Sequence, residues 1–118
     1  MSQSPKVKEL FVAPGNAGTA RIAQNLDIKD TDIKTLAKTA QQKGIDLVVV
    51  GPETPLAAGI VDQFESIGIP IFGPSKTAAE IESSKSFAEY IMKKYDIPRG
   101  KIATFTDYQQ AREYVIKQ

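Results

Sequence analysis

Three turns hold the residues of this chain best placed to touch a ligand. They are Pro14-Gly15-Asn16-Ala17-Gly18, Gly51-Pro52-Glu53 with Thr54 and Pro55 behind it, and Gly73-Pro74-Ser75. Each follows a short apolar run: Leu10-Phe11-Val12, Val48-Val49-Val50 and Ile69-Pro70-Ile71-Phe72. If those runs are parallel strands, the turns stand at their carboxyl ends, where open α/β sheets bind ligands. The sequence contains neither cysteine nor histidine. Disulfides, thiolate and histidine metal ligands, and cysteine or histidine catalysis are thereby excluded within it. Chemistry has to run on carboxylates, lysines, hydroxyls and backbone amides.

Each motif supports a plain reading and a functional one. Gly15, Asn16 and Gly18 suit an ordinary turn, since Gly and Asn tolerate positive φ. They also suit a loop whose backbone approaches a phosphate or ribose, with the Asn16 amide turned to hydroxyls. Glu53 after Gly51 and Pro52 complements the positive end of the next helix dipole, or it accepts hydrogen bonds from a ligand. Lys85 in Ser83-Ser84-Lys85-Ser86 reads, from the residues, as a solvated lysine on a first helical turn. Glu80 and Glu82 stand two apart, on different faces of a helix, and belong to solvent.

The elements that must position these turns follow from periodicity. Residues 7–12 and the short Leu26-Asp27-Ile28 run read as strands, with one helical turn between them in the stretch from Thr19 to Asn25. Asp30 or Thr31 caps a helix whose Ile33, Leu36, Ala37 and Ala40 share one face, and Gly44 stops it. Ile45 to Val50, charged only at Asp46, suits a strand buried on both faces. Thr54 at the N-cap and Pro55 at the first position open a helix with Leu56, Ile60, Phe64 and Ile67 inward and Gly68 as its end. Ile69 to Phe72 is a further strand, which makes the pattern a doubly wound parallel one.

After Ser75 two helices are expected near 76–82 and 84–95, with Phe87, Tyr90, Ile91 and Tyr95 as packing aromatics and aliphatics. A strand over Lys101 to Phe105 and a capping box Thr106-Asp107-Tyr108-Gln109 follow, the box opening a helix with Tyr108, Ala111 and Val115 in its core stripe. The totals fit a soluble globular chain: 118 residues, 42% apolar, 25% charged, net +1. That balance gives no electrostatic ground for nucleic acid or an anionic membrane, and no apolar run approaches the ~20 residues of a membrane span.

The Pro14-to-Gly18 loop, Val50-Gly51-Pro52-Glu53 with Pro55-Leu56-Ala57-Ala58-Gly59-Ile60, Phe72-Gly73-Pro74, and Glu82-Ser83-Ser84-Lys85-Ser86-Phe87-Ala88 occur in that order. Together they resemble the phosphoribosylamine–glycine ligases, a family of ATP-grasp enzymes, from about Lys6 to about Phe105. The resemblance implies a Rossmann-like, pre-ATP-grasp parallel sheet over 1–74, lacking its first strand and Gly-rich turn. It implies linker helices and the start of an ATP-grasp domain over 75–118. It further implies that the parent enzyme joins glycine to phosphoribosylamine with ATP and Mg²⁺ or Mn²⁺, through a glycyl phosphate, in cytoplasmic purine biosynthesis. Gly15, Asn16, Gly18, Gly51, Pro52 and Glu53 would then hold phosphoribosylamine, and Lys85 would lie near the ATP phosphates.

Pro98-Arg99-Gly100-Lys101 departs from the Pro-Thr-Ala more usual in that family, a change confined to a linker. With the first strand and most of the ATP-grasp domain absent, the chain reads as a fragment, inactive alone and holding no cofactor tightly. The absent strand would be central, so its loss predicts rearranged pairing or dimerisation through open strand edges. The alternative is a small, non-catalytic Rossmann-like module that binds a sugar phosphate or a nucleotide.

Overall fold

The computed structural model describes residues 1–100 and 102–117. Four two-residue strands, β1 (Phe11–Val12), β2 (Gln24–Asn25), β3 (Val48–Val49) and β4 (Ile71–Phe72), form two parallel ladders. β1 pairs with β2 in the register Phe11 to Gln24, and β3 with β4 in the register Val48 to Ile71. The expected single sheet is therefore two ladders. In each, one edge is left open: Leu10 and Val12 accept from Gln24 and Leu26, so the Phe11 peptide groups point the other way. Val48 and Val50 donate to Pro70 and Phe72, so those of Val49 point away from β4.

Helix α1 (Ile33–Lys43) starts one or two residues later than expected, because Asp32 is the cap, its carboxylate accepting from the Thr35 amide at 3.2 Å. It stops where expected. Gly44 adopts φ +61°, its N–H donates to the Gln41 carbonyl, and the Ile45 N–H closes back on Ala40 at 3.0 Å. The helix expected after Glu53 is split in two, α2 (Glu53–Ala58) and α3 (Ile60–Ser66). Gly59 at φ +93° breaks it, and Thr54 is a helical residue behind the N-cap Pro52. Gly68 (φ +74°) ends α3 with Ile69 donating back to Phe64.

The chain divides into two compact units, Met1–Ala79 and Glu80–Gln118, so the division falls inside α4 (Lys76–Ser83). The core lies in the first unit and joins Ala37 and Ala40 of α1 to Leu56, Ile60, Val61, Phe64, Ile69 and Ala79. Val48, Val50 and Ile71 pack against it. Their strand neighbours do not: Leu47 and Val49 are half exposed and Phe72 is 70% exposed. β3 is thus buried on one face rather than two, because no element among the described residues covers the face carrying Leu47, Val49 and Phe72. The Asp62 carboxylate of α3 accepts from the Lys76 N–H at 2.9 Å and so fixes the start of α4.

In the second unit, Ser84 caps α5 (Lys85–Lys94) by accepting from the Phe87 amide. Phe87 and Tyr90 stack at 6.4 Å between centroids, while Tyr90 and Tyr95 are largely exposed. The expected strand at 101–105 is absent over Ile102–Phe105, which have no strand partner among the described residues; Lys101 lies outside those residues. Asp107, not Thr106, caps α6 (Tyr108–Ile116), accepting from Gln110 at 2.9 Å. The α6 stripe is not core, since Tyr108 and Val115 are both more than 70% exposed. The packing of α6 comes instead through Tyr114, whose ring meets Phe105 at 5.2 Å.

Candidate functional site

The first turn leaves β1 through a cis Ala13–Pro14 peptide and folds back on itself through Asn16. The Asn16 Oδ1 accepts from the amides of Gly18 at 2.8 Å and Thr19 at 3.0 Å. The Asn16 N–H donates to Thr19 Oγ1 at 2.8 Å, and the Asn16 carbonyl accepts from Ala20 N–H at 3.0 Å. Asn25 of β2 closes the loop: its Nδ2 donates to the Asn16 carbonyl at 2.8 Å, and its Oδ1 accepts from the Thr19 hydroxyl at 2.8 Å. Both oxygens of Asn16 are therefore committed to the protein. Its Nδ2 and the N–H groups of Gly15 and Ala17 have no acceptor among the described residues.

The glycines of the two expected binding turns are there for different reasons. Gly15 sits at φ +78°, and a Cβ on it would overlap the Asn25 carboxamide, so the fold itself requires glycine. Gly18 is less confined: its φ is an ordinary −72°, and only Asn16 Oδ1, 3.0 Å from where its Cβ would be, crowds it. Gly51 has an ordinary φ and nothing within 4 Å of such a Cβ. Packing gives no reason for glycine at 51, and its bare backbone keeps the space in front of α2 open. Pro52 precedes α2 and Glu53 begins it, with an exposed side chain free of hydrogen-bond partners among the described residues. Gly73 is a packing position: a Cβ there would come within 2.8 Å of Leu56 and 3.2 Å of Val61.

The two turns lie in the same compact unit, each at the carboxyl end of a parallel strand, and no hydrogen bond among the described residues joins them. Lys85 opens α5 in the second unit with an exposed side chain. Asn25 and Thr19 were missed by the sequence reading. The strand expected at Leu26–Ile28 is instead Gln24–Asn25, and the helical turn expected over Thr19 to Asn25 is confined to Thr19–Arg21, so no strand position was expected at Asn25 to mark it. No group of three or more acidic residues among the described residues is placed to hold a metal ion.

The described residues define the class as an α/β unit with parallel strands and small, kinked turns at the strand ends. Its family is specific. The model of the family "Phosphoribosylglycinamide synthetase, N domain" matches residues 1–82, and the chain belongs to that family. Among its relatives is the phosphoribosylamine–glycine ligase of Caldanaerobacter subterraneus subsp. tengcongensis, 49% identical over 115 residues that make up 98% of this chain and 28% of that protein. The corresponding ligase of Halalkalibacterium halodurans is 48% identical over 97% of this chain and 27% of its own length. That of Neisseria meningitidis serogroup B is 50% identical over 98% and 27%. The chain therefore spans little more than a quarter of the length of these relatives.

Proposed function

We propose that residues 1–74 form the sugar-phosphate-binding part of a phosphoribosylamine–glycine ligase of purine biosynthesis, and that 75–118 are linker helices leading into an ATP-grasp domain. The observation that carries this reading is the family match over residues 1–82, which includes both candidate turns. In the whole enzyme, ATP activates the glycine carboxylate as an acyl phosphate. The amine of phosphoribosylamine then forms the new C–N bond as phosphate leaves and the nitrogen gives up a proton. The work of these residues is to hold the amine at the right distance and angle, a contribution of orientation rather than of acid–base chemistry.

Two kinds of polar group are available for that task. The Pro14–Gly18 loop offers donors, suited to phosphate and ribose oxygens, whereas the Glu53 carboxylate offers only acceptors, suited to the amine and hydroxyl hydrogens. Gly51 and Pro52 leave room for the ligand beside Glu53. Lys85 supplies a point charge for the ATP phosphates. Mg²⁺ or Mn²⁺, which would neutralise charge on those phosphates, is held by other segments of the enzyme. A cytoplasmic setting is part of this reading, and no described helix is long and apolar enough to cross a membrane. Its open strand edges at Phe11 and Val49 favour self-association.

An amide-resolved NMR titration with ribose 5-phosphate tests the reading. Shifts centred on Gly15 to Gly18 and on Gly51 to Leu56 are expected. A folded chain that shows none up to millimolar ligand overturns it.

A further inference from the structure

Asn25 lies nine residues from Asn16 in sequence and beside it in space, and it makes three separate demands on the loop. Its Nδ2 donates to the Asn16 carbonyl at 2.8 Å, its Oδ1 accepts from Thr19 Oγ1 at 2.8 Å, and its carboxamide fills the space a side chain on residue 15 would need. The orientation of the amide is dictated, because the Asn16 carbonyl can only accept. Thr19 relays the constraint. Its hydroxyl accepts from the Asn16 N–H at 2.8 Å while its single proton is shared between Asn25 Oδ1 and the Asn16 carbonyl at 3.0 Å. Asn25 is itself anchored by the β1–β2 ladder, in which it faces Val12 and its neighbour Leu26 donates to the Val12 carbonyl.

We infer that Asn25 is a positioning residue for the sugar-phosphate site, bolting the Pro14–Gly18 loop in the one arrangement that leaves Asn16 Nδ2 and the Gly15 and Ala17 N–H groups free for ligand oxygens. This inference rests on the reading of that loop given under the proposed function. Its physical content is preorganisation: a loop already ordered does not lose conformational freedom when ligand arrives, so affinity is gained without a further contact. Without Asn25, the Asn16 carbonyl keeps only local bonds, from the Ala20 N–H and the Thr19 hydroxyl, and loses its hydrogen bond from β2.

The test compares the wild-type chain with Asn25→Ala, Thr19→Val and Thr19→Ser, using ¹⁵N relaxation and titration with ribose 5-phosphate. Asn25→Ala is expected to lower the order parameters of residues 15–18 from about 0.85 to below about 0.6. Its affinity for ribose 5-phosphate should fall about tenfold, the cost of ordering a loop that is no longer held in place. Hydrogen exchange at Ala40 and Phe64, in the core, should stay as in wild type. Thr19→Val, which keeps the shape and removes the hydroxyl, is expected to move both readouts the same way, and Thr19→Ser to restore them. If Asn25→Ala fails to fold, the Thr19 pair decides alone. An ordered loop without Asn25 or the Thr19 hydroxyl, or a disordered loop with undiminished affinity, overturns the inference while wild-type binding keeps the proposed function standing. A wild-type chain with a rigid loop that binds no ribose 5-phosphate removes both.

Discussion

Gly15 and Gly51 look alike in sequence, each opening a turn after an apolar strand, yet the structure separates their roles. Gly15 needs positive φ and yields its Cβ space to Asn25, so Gly15→Ala should lower stability by about 1–2 kcal/mol in urea unfolding. Gly51→Ala should leave stability within about 0.5 kcal/mol of wild type, since nothing lies within 4 Å of the new methyl. The same substitution should still weaken ribose 5-phosphate binding, because the methyl occupies the open space before Glu53. Equal stability losses for the two variants would show that Gly51 is also a packing position. Asn16 illustrates a further difference. Sequence suggests an amide free to meet hydroxyls, whereas its carbonyl oxygens are spent inside the loop and only donors remain.

Most helices in this chain begin and end at local signals that are legible in the sequence, whereas β2 lies at Gln24–Asn25 rather than the expected Leu26–Ile28. Gly44 and Gly68 close their helices by the same pair of back-bonds, and Ser84 caps α5 as a serine at that position should. The caps at Asp32 and Asp107 each lie one or two residues from the expected position, where several cap-competent residues stand side by side. Asp32→Ala should cost about 1 kcal/mol in urea unfolding by exposing the first-turn amides of α1. Gly73→Ala should cost more, about 1–3 kcal/mol, because Leu56 and Val61 must move aside in a closely packed core. A Gly73→Ala variant as stable as wild type would mean that β4 shifts freely against α2 and α3. The break at Gly59 was not legible, since a glycine inside a helical pattern is compatible with either a straight or an interrupted helix.

At the scale of the whole chain the parallel strands form two ladders, and among the described residues nothing covers the backbone groups of Phe11 and Val49 or the side chains of Leu47, Val49 and Phe72. A net charge of +1 provides almost no repulsion between copies. Sedimentation velocity at rising concentration should therefore show a reversible dimer, and Val49→Lys should shift it to monomer by placing a charge on the open strand. A monomer at every concentration would mean that these edges are too short to pair. Incubated with glycine, phosphoribosylamine, ATP and a divalent metal, the chain alone should release no phosphate above background. Turnover would show that the described residues assemble a catalytic centre after all.

The sequence by itself determined what depends on neighbours along the chain: helix stops, amphipathic faces, the turn chemistry at strand ends, and a motif order specific enough to indicate the family later shown by the match over residues 1–82. Tertiary structure decided what depends on residues far apart. It set which face of β3 meets the core, whether the strands join in one sheet, and whether 102–105 finds a partner to make it a strand. It also brought Asn25 to Asn16. A polar side chain in a strand can face solvent or lock a loop, and only the packing of β2 against β1 selects between them.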